Sequence, residues 1–389
     1  MRAALRVRIA TPLSIGWHDP NILDRRFYIR PTSVKGVWRW WARAFVGGVL
    51  YERGCIRAER HRHVYLTPDK VSAEKIAKIV GLNLGLGYAG TKKAAASKFK
   101  ITLKTIKPPS TDKARYRQGY IHHHGRFLSL HRFRLLTLSS DVEYATGGEF
   151  EINIDAPGVD KDVFQATAGI LVVALTLSGL GKGSRKGLGC LDVIRTYGDL
   201  RPGPPENLLN DVRSALERLI KDDCGGQPDD LPPLPVVSKA KIHGIDITTV
   251  YKISDISFDN LHNFFLRPHR AKVLTGDYAK PDPLRQNLNA WILGLPREQN
   301  KQGYIMPDLD RRASTLMTCY HTSHLASQPA GYLTALVSGD WPTSLTWVGA
   351  GTQNITIDTQ RILAAYRDAL DEFKDYIAKL GGSLTRIWP

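Results

Sequence analysis

An α+β fold in two domains is what the sequence predicts, on three observations. Short segments of strand period interleave with longer segments that carry an apolar face at helical period. The 389 residues exceed what one hydrophobic core usually serves. A proline-rich stretch, GGQPDDLPPLP at Gly225 to Pro235, interrupts the pattern past its middle. These place a first domain at 1–200 with a basic insertion near 54–125, a bridging helix and linker at 201–235, and a second domain at 236–389.

The elements follow in order. Leu5, Val7 and Ile9 alternate with Arg6 and Arg8, the mark of a half-buried strand. Pro31 to Tyr51, PTSVKGVWRWWARAFVGGVLY, opens with Thr32 and Ser33 as candidate N-caps and reads as a helix. Its Val34, Val37, Trp41 and Phe45 share a packing face, with Trp38 and Trp40 between the faces; Lys35, Arg39 and Arg43 fall at i, i+4 and i+8 on a basic one. Gly54 to Gly125, rich in Lys and Arg and including Lys92 and Lys93, reads as an insertion. Strands are expected near Phe133 to Thr137 and at Glu149 to Ile154, where Phe150, Ile152 and Ile154 alternate with Glu149, Glu151 and Asn153. A helix over Asp160 to Ser178 and a strand over Cys190 to Tyr197 follow. Strand, helix, strand, strand, helix, strand is the order of a ferredoxin-like, or RNA-recognition-motif-like, unit. The second half predicts a bridging helix at Pro205 to Lys221, strands at Ile245 to Ile253, Ser314 to His321 and Gly331 to Val337, and a closing helix at Thr359 to Leu380.

Charge narrows the partners. There are 54 Lys and Arg against 37 Asp and Glu, a formal net charge of +17, which favours a polyanion. A membrane is the rival polyanion. The longest apolar run, Ala166 to Leu177, is broken by Thr167, Gly169 and Thr176 and reads as a buried helix, and the first residues lack the apolar block of a signal peptide. A cytoplasmic protein with no membrane partner is expected. Cys55, Cys190, Cys224 and Cys319 lie far apart and suggest neither a zinc site nor a disulfide framework. Consecutive His122, His123 and His124 cannot all face one ion on regular structure, and His61 with His63 sits in an arginine-rich stretch. No metal and no cofactor is therefore expected. No Walker loop, H-E-x-x-H pair, G-x-S-x-G elbow or Rossmann fingerprint is present, which removes the enzyme classes built on them.

The stretch Gly179 to Gly189, GLGKGSRKGLG, is the sharpest functional signal. Five glycines let the backbone approach a ligand and turn successive amides towards an anion, and Lys182, Arg185 and Lys186 add charge. A plain tight turn is the competing reading. The basic, tryptophan-bearing helix supplies a second element pointing the same way, towards nucleic acid.

TPLSIG at Thr11 to Gly16, RPTSVKGVWRWWARA at Arg30 to Ala44 and GLGKGSRKGLG together resemble the RAMP (repeat-associated mysterious protein) superfamily of CRISPR effector subunits. Within it, IRPTSVKGVWRWWAR most resembles subunit one of the type III-B Cmr complex. ILGLP at Ile292 to Pro296 followed by RRASTL at Arg311 to Leu316 is similar to a segment of that subunit's second half, although Thr315 stands where the family more often has proline. The resemblance implies a second ferredoxin-like unit, and as partners the 3' part of a guide RNA, target RNA and neighbouring RAMP backbone subunits. On this reading Lys35, Arg39 and Arg43, with Arg30, Gly181, Lys182, Gly183, Arg185 and Lys186, contact phosphates. Arg311 and Arg312 are lesser candidates, and Trp38, Trp40 and Trp41 are available to stack unless they pack. The expected subunit is non-catalytic. Two alternatives stand beside it. One is cleavage of RNA by a loop aspartate, Asp19 or Asp24, or by His18 acting on a 2'-hydroxyl; the other is a scaffold whose charge serves an acidic protein surface.

Overall fold

The computed structural model describes residues 1–90, 94–123, 125–130, 133–266, 283–299, 301–306, 311–349 and 351–389. Lys92, Lys93 and His124 lie outside the described residues. The chain is a mixed α+β protein; of the three four-stranded antiparallel sheets among the described residues, two organise it. In the first half, β1 (Arg2–Ile9), α1 (Pro31–Glu52), β2 (Lys100–Lys107), β3 (Glu149–Asp155), α2 (Lys161–Leu177) and β4 (Leu191–Gly198) give the sheet order β4-β1-β3-β2. The register runs Arg2↔Asp155 to Arg8↔Glu149 between β1 and β3, and Ala3↔Gly198 to Ile9↔Leu191 between β1 and β4. After α3 (Pro205–Leu219), the second half repeats the scheme. Its elements are β5 (Thr248–Ser254), α4 (Phe258–Asn263), β6 (Leu316–His321), β7 (Ala330–Leu336), α5 (Thr359–Lys379) and β8 (Ser383–Trp388), in sheet order β8-β5-β7-β6.

Local chemistry explains the long helices. Asp160 caps α2 by accepting from the amides of Asp162 and Val163, and Asp358 caps α5 by accepting from Arg361. Thr32 and Ser33 do not cap α1: Arg30 occupies that position without a side-chain cap, and Pro31 starts the helix, where its missing N–H costs nothing. The α1 face of Val34, Trp38, Trp41, Phe45 and Val49 is fully buried. Trp38 Nε1 donates to Thr167 O at 2.7 Å and Trp41 Nε1 to Ser178 Oγ at 3.0 Å, so both indoles are core residues tied to α2 and its end and are withdrawn from base stacking.

Three expectations need correction. The second strand of the first sheet is β2, inside the segment read as an insertion. Phe133–Leu136 is a short helical turn rather than a strand, with Phe133 anchoring a satellite core beside Tyr144 and Leu188. Cys55 and Cys224 form a disulfide, closing the end of α1 onto the segment after α3, with a Cα–Cα distance of 5.2 Å. The largest core is continuous across the two halves: Leu5, Val7 and Phe45 belong to the same buried cluster as Val250, Met317, Tyr332 and Trp388. Among the described residues, no helix is long and apolar enough to cross a membrane.

Candidate nucleic-acid interface

The glycine-rich stretch leaves the end of α2 and folds back before β4. Part of its glycine content is structural. A Cβ on Gly179 would lie 1.9 Å from Leu188 O, and one on Gly189 2.0 Å from Leu180 O, so the two ends of the loop press backbone to backbone. Gly181 has φ +76°, and a Cβ there would meet Ser14 O at 2.2 Å. The loop uses several amides internally: Gly179 donates to Ser184 O, Leu180 to Gly189 O, Lys182 to Ser14 O and Lys186 to Gly183 O. The amides of Gly181, Gly183, Ser184 and Arg185 make no hydrogen bond among the described residues. Four open donors in one turn, beside cations, form a nest suited to an anion.

Arg185 joins this loop to α1. Its guanidinium stacks 4.6 Å from the ring centroid of Trp40, the half-buried indole of the three. Burial lowers the pKa of Arg185 to about 10, with Arg312 adding to the fall and Asp340 opposing it; the side chain stays cationic at neutral pH. Trp40 is thus occupied by a cation of the protein itself.

The other predicted cations divide into engaged and open groups. Arg39 donates from Nε to Leu86 O at 2.9 Å and also from Nη2 to that carbonyl, clamping the segment before β2. Arg30 donates to Gly16 O and lies 3.4 Å from the buried carboxylate of Asp24. Lys182 donates to Asn21 Oδ1, while Lys186 donates to Leu293 O at 3.2 Å and sits over the ring of Phe265. Arg312 is buried, pairing with Asp340 at 2.7 Å and stacking on Trp341, which makes it a structural residue. Lys35 and Arg43 make no hydrogen bond or ion pair among the described residues; Arg43 and Arg311 are exposed. Burial, and then the charge of Arg39, lowers the pKa of Lys35.

The two aspartates of the early loop differ in setting. Asp24 is 1% exposed and faces Arg30. Asp19 is exposed, and its Oδ1 caps the amide of Asn21 at 2.7 Å. The same loop shows what residue-by-residue reading missed. Trp17, Ile22 and Phe27 are all at least 40% exposed, and Arg26 lies over the Phe27 ring at 5.2 Å. Exposed aromatics beside arginine suit stacking on bases. The density of aromatic and basic residues between Gly16 and Arg30 was the available signal.

One cluster has metal-ligand composition. Asp192 at the start of β4, His321 at the end of β6 and His324 are buried together, with ligand atoms within 4.8 Å of one another. Their hydrogen bonds account for them without an ion. His324 Nδ1 accepts from Val193 N at 3.0 Å, so its Nε2 carries the proton and faces Thr176 Oγ1 at 2.7 Å. His321 Nε2 faces Thr176 O at 2.8 Å, and its Nδ1 faces Asp192 Oδ1 at 2.9 Å. A carbonyl and a carboxylate can only accept, so these two contacts favour an imidazolium, with the Cys319 thiol also 3.3 Å from Nε2. Burial pushes His321 down, but the hydrogen bond and charge of Asp192 outweigh it and its pKa is raised. Burial likewise pushes Asp192 up, yet His321 and the Thr322 hydroxyl hold it at about 2. Every nitrogen of the two rings has a hydrogen-bond partner, and Asp192 with His321 ties the two sheets together.

Residues 6–192 match the family model for the RAMP superfamily. This part of the chain is similar to the RAMP superfamily. The match runs from within β1 to the start of β4 and includes β2, β3, both helices and the glycine-rich loop. Over the whole chain the fold is similar to the crystal structure of apo Cmr1 from Pyrococcus furiosus, with TM-score 0.53, 16% identity, and 100% of this chain and 99% of that one covered. It is also similar to a chain in the cryo-EM structure of the type III-B Cmr-beta complex bound to cognate target RNA, with TM-score 0.54, 12% identity, and 95% and 99% covered. A further Cmr-beta structure, with target RNA and AMPPnP in the presence of ssDNA, matches with TM-score 0.52, 13% identity, and 95% and 98% covered. No curated protein sequence matches. The matched stretch supplies α1 and the glycine-rich loop; the second half closes over them through Gly187 N donating to Thr318 O at 2.9 Å and Thr318 N donating to Arg185 O at 3.1 Å.

Proposed function

We propose that this chain is a non-catalytic RNA-binding subunit of a type III-B CRISPR effector, holding the 3' part of the guide RNA and supporting target RNA capture beside other RAMP backbone subunits. One observation carries the reading: the four open amides of the glycine-rich loop are fixed, through Arg185 on Trp40, beside the helix that presents Lys35 and Arg43. The RAMP match and the fold shared with Cmr1 support it, as does the +17 charge. Both halves read as ferredoxin-like units, since each gives the sheet order of first, second, third and fourth strand as 4-1-3-2 with a helix after the first and third. Contacts of this kind grip the backbone and leave sequence reading to base pairing.

The test is binding of single-stranded RNA to the full chain across a salt series, with the RNA followed on a denaturing gel. Lys35→Ala/Arg43→Ala is expected to weaken binding and to shallow the log–log salt slope by about 0.7 for each lost phosphate contact. Arg312→Ala should leave that slope unchanged, because its charge is spent on Asp340. The RNA should stay intact. An unchanged slope in the double variant would remove α1 from the interface, and RNA cleavage that Asp19→Ala abolishes would replace this reading with a nuclease.

A further inference from the structure

A second RNA-facing surface stands on the first. Between Asp112 and Asp141 the sequence holds Lys113, Arg115, Arg117, Arg126, Arg132 and Arg134 and no acidic residue; Arg132 lies outside the described residues. This segment builds a hairpin of two strands, Tyr120–His123 and Arg126–Ser129, with His122 opposite Phe127 and Tyr120 opposite Ser129. Alternation along the strands gives the hairpin two unlike faces. Ile121 and His123 turn inward and are buried; Ile121 shares a core with Leu188 of the glycine-rich loop and with Phe258, and the His123 ring lies 6.1 Å from that of Phe258. Tyr120, His122 and Phe127 turn outward.

The outward face is unusual for a surface. Phe127 is 76% exposed and Tyr120 56%, and the His122 ring meets Phe127 edge-on at 4.9 Å. At the hairpin's base, Arg117 lies over Tyr116, itself 51% exposed, at 4.9 Å. Arg115, Arg117, Arg126 and Arg134 are exposed and make no ion pair among the described residues. A second protein copy does not fit, because the surface is cationic throughout and would face its own charge. A polyanion with flat apolar rings fits both properties.

We infer that the outer face of this hairpin is a stacking platform for unpaired bases of single-stranded RNA, with the flanking arginines on its phosphates. The inference rests on the proposed RNA-binding function and extends it to bases. The hairpin's inner face is packed on Leu188, so the platform and the glycine-rich loop are neighbours in the fold.

The experiment compares three probes on the full chain: single-stranded RNA, an abasic oligonucleotide of equal length that keeps the phosphates, and phosphatidylserine vesicles. Tyr120→Ala/Phe127→Ala is expected to weaken RNA binding by about tenfold or more, because the bases lose the rings they stack on, while leaving the abasic probe and the salt slope unchanged. Phe127→Trp should retain wild-type affinity. RNA binding by the double variant equal to wild type overturns the platform and leaves the amide nest standing. Equal losses on RNA and abasic probe show a charge or folding effect and overturn it too, as does a loss confined to vesicles. Failure of the wild type to bind RNA at all overturns the proposed function and the platform together.

Discussion

Asp192→Ala is expected to destabilise the chain by about 3–5 kcal/mol, read as the midpoint shift in urea unfolding. The substitution leaves the His321 imidazolium buried without its counter-charge. It also strands the donors that converge on the carboxylate: Thr322 Oγ1 at 2.5 Å, Ser323 N at 3.1 Å and Thr322 N at 3.2 Å, with Arg8 at 3.8 Å behind them. His321→Ala should cost a similar amount, and the double variant much less than the sum, because removing both charges leaves neither unpaired. Additive losses would show that the two groups are not an ion pair.

The pH dependence has a definite sign. The folded pKa of His321 is raised above the ordinary 6.5, so its contribution is fully present below about 6.5 and is lost as pH rises through the folded value. Asp192 is depressed from 3.8 to about 2, so its contribution is present above 3.8 and is lost as pH falls towards 2. The groups around the ring are Asp192, Arg8 and Cys190 from the first half, and His324, Cys319 and Tyr332 from the second half. Asp192, held at about 2, keeps its charge across neutral and alkaline pH, and the His324 pKa is depressed far below 6.5 by burial and by His321; the Cys190 thiol, against its burial, is lowered to about 7 by Cys319 and His321, so the comparison is made in a Cys190→Ser background. The stability gap between wild type and His321→Ala should therefore shrink as pH is raised from 6 towards 9. A gap that stays constant over that range would mean His321 is neutral in the fold.

The second large effect belongs to the disulfide. Cys55 and Cys224 are 169 residues apart in sequence, and closing so long a loop restricts the unfolded chain. The chain-entropy limit for that length is about 5 kcal/mol, and about 2–5 kcal/mol is expected from Cys55→Ser/Cys224→Ser. Reductant should reproduce the loss in the wild type and do nothing further to the variant. A thiol titration of the unreduced, denatured chain should find only Cys190 and Cys319, the two free cysteines. Four reactive thiols would show that the bond does not form.

Long periodic elements were legible in the sequence. α5 buries one face at helical spacing, α1 does so over its first turns and α2 is an apolar run buried all round; their ends lie within two residues of the expected positions. β2 was hidden because it is an edge strand with one fully buried side chain, Ile101, among lysines and threonines, so alternation is faint. Phe133 and its neighbours read as a strand because four apolar or bulky residues are too few to separate the two periods. The glycine-rich loop was legible as a special backbone; which cations it leaves open was not. That is decided by acceptors brought from far along the chain, such as Leu86 O for Arg39 and Leu293 O for Lys186. The Asp192 and His321 pair, 129 residues apart, and the disulfide share that cause: each is a product of the seam, with no local pattern to mark it.

The buried cluster that runs from Leu5 through Phe45 to Tyr332 and Trp388 sets how the molecule comes apart. Two autonomous halves would melt in two steps and survive separation; here each half completes the other's interior, so the smallest cooperative unit is nearly the whole chain. Local opening at the seam exposes apolar surface on both sides at once. An RNA held on the glycine-rich loop, which hydrogen-bonds across that seam at Thr318, would be felt as added stability by the second half as much as by the first.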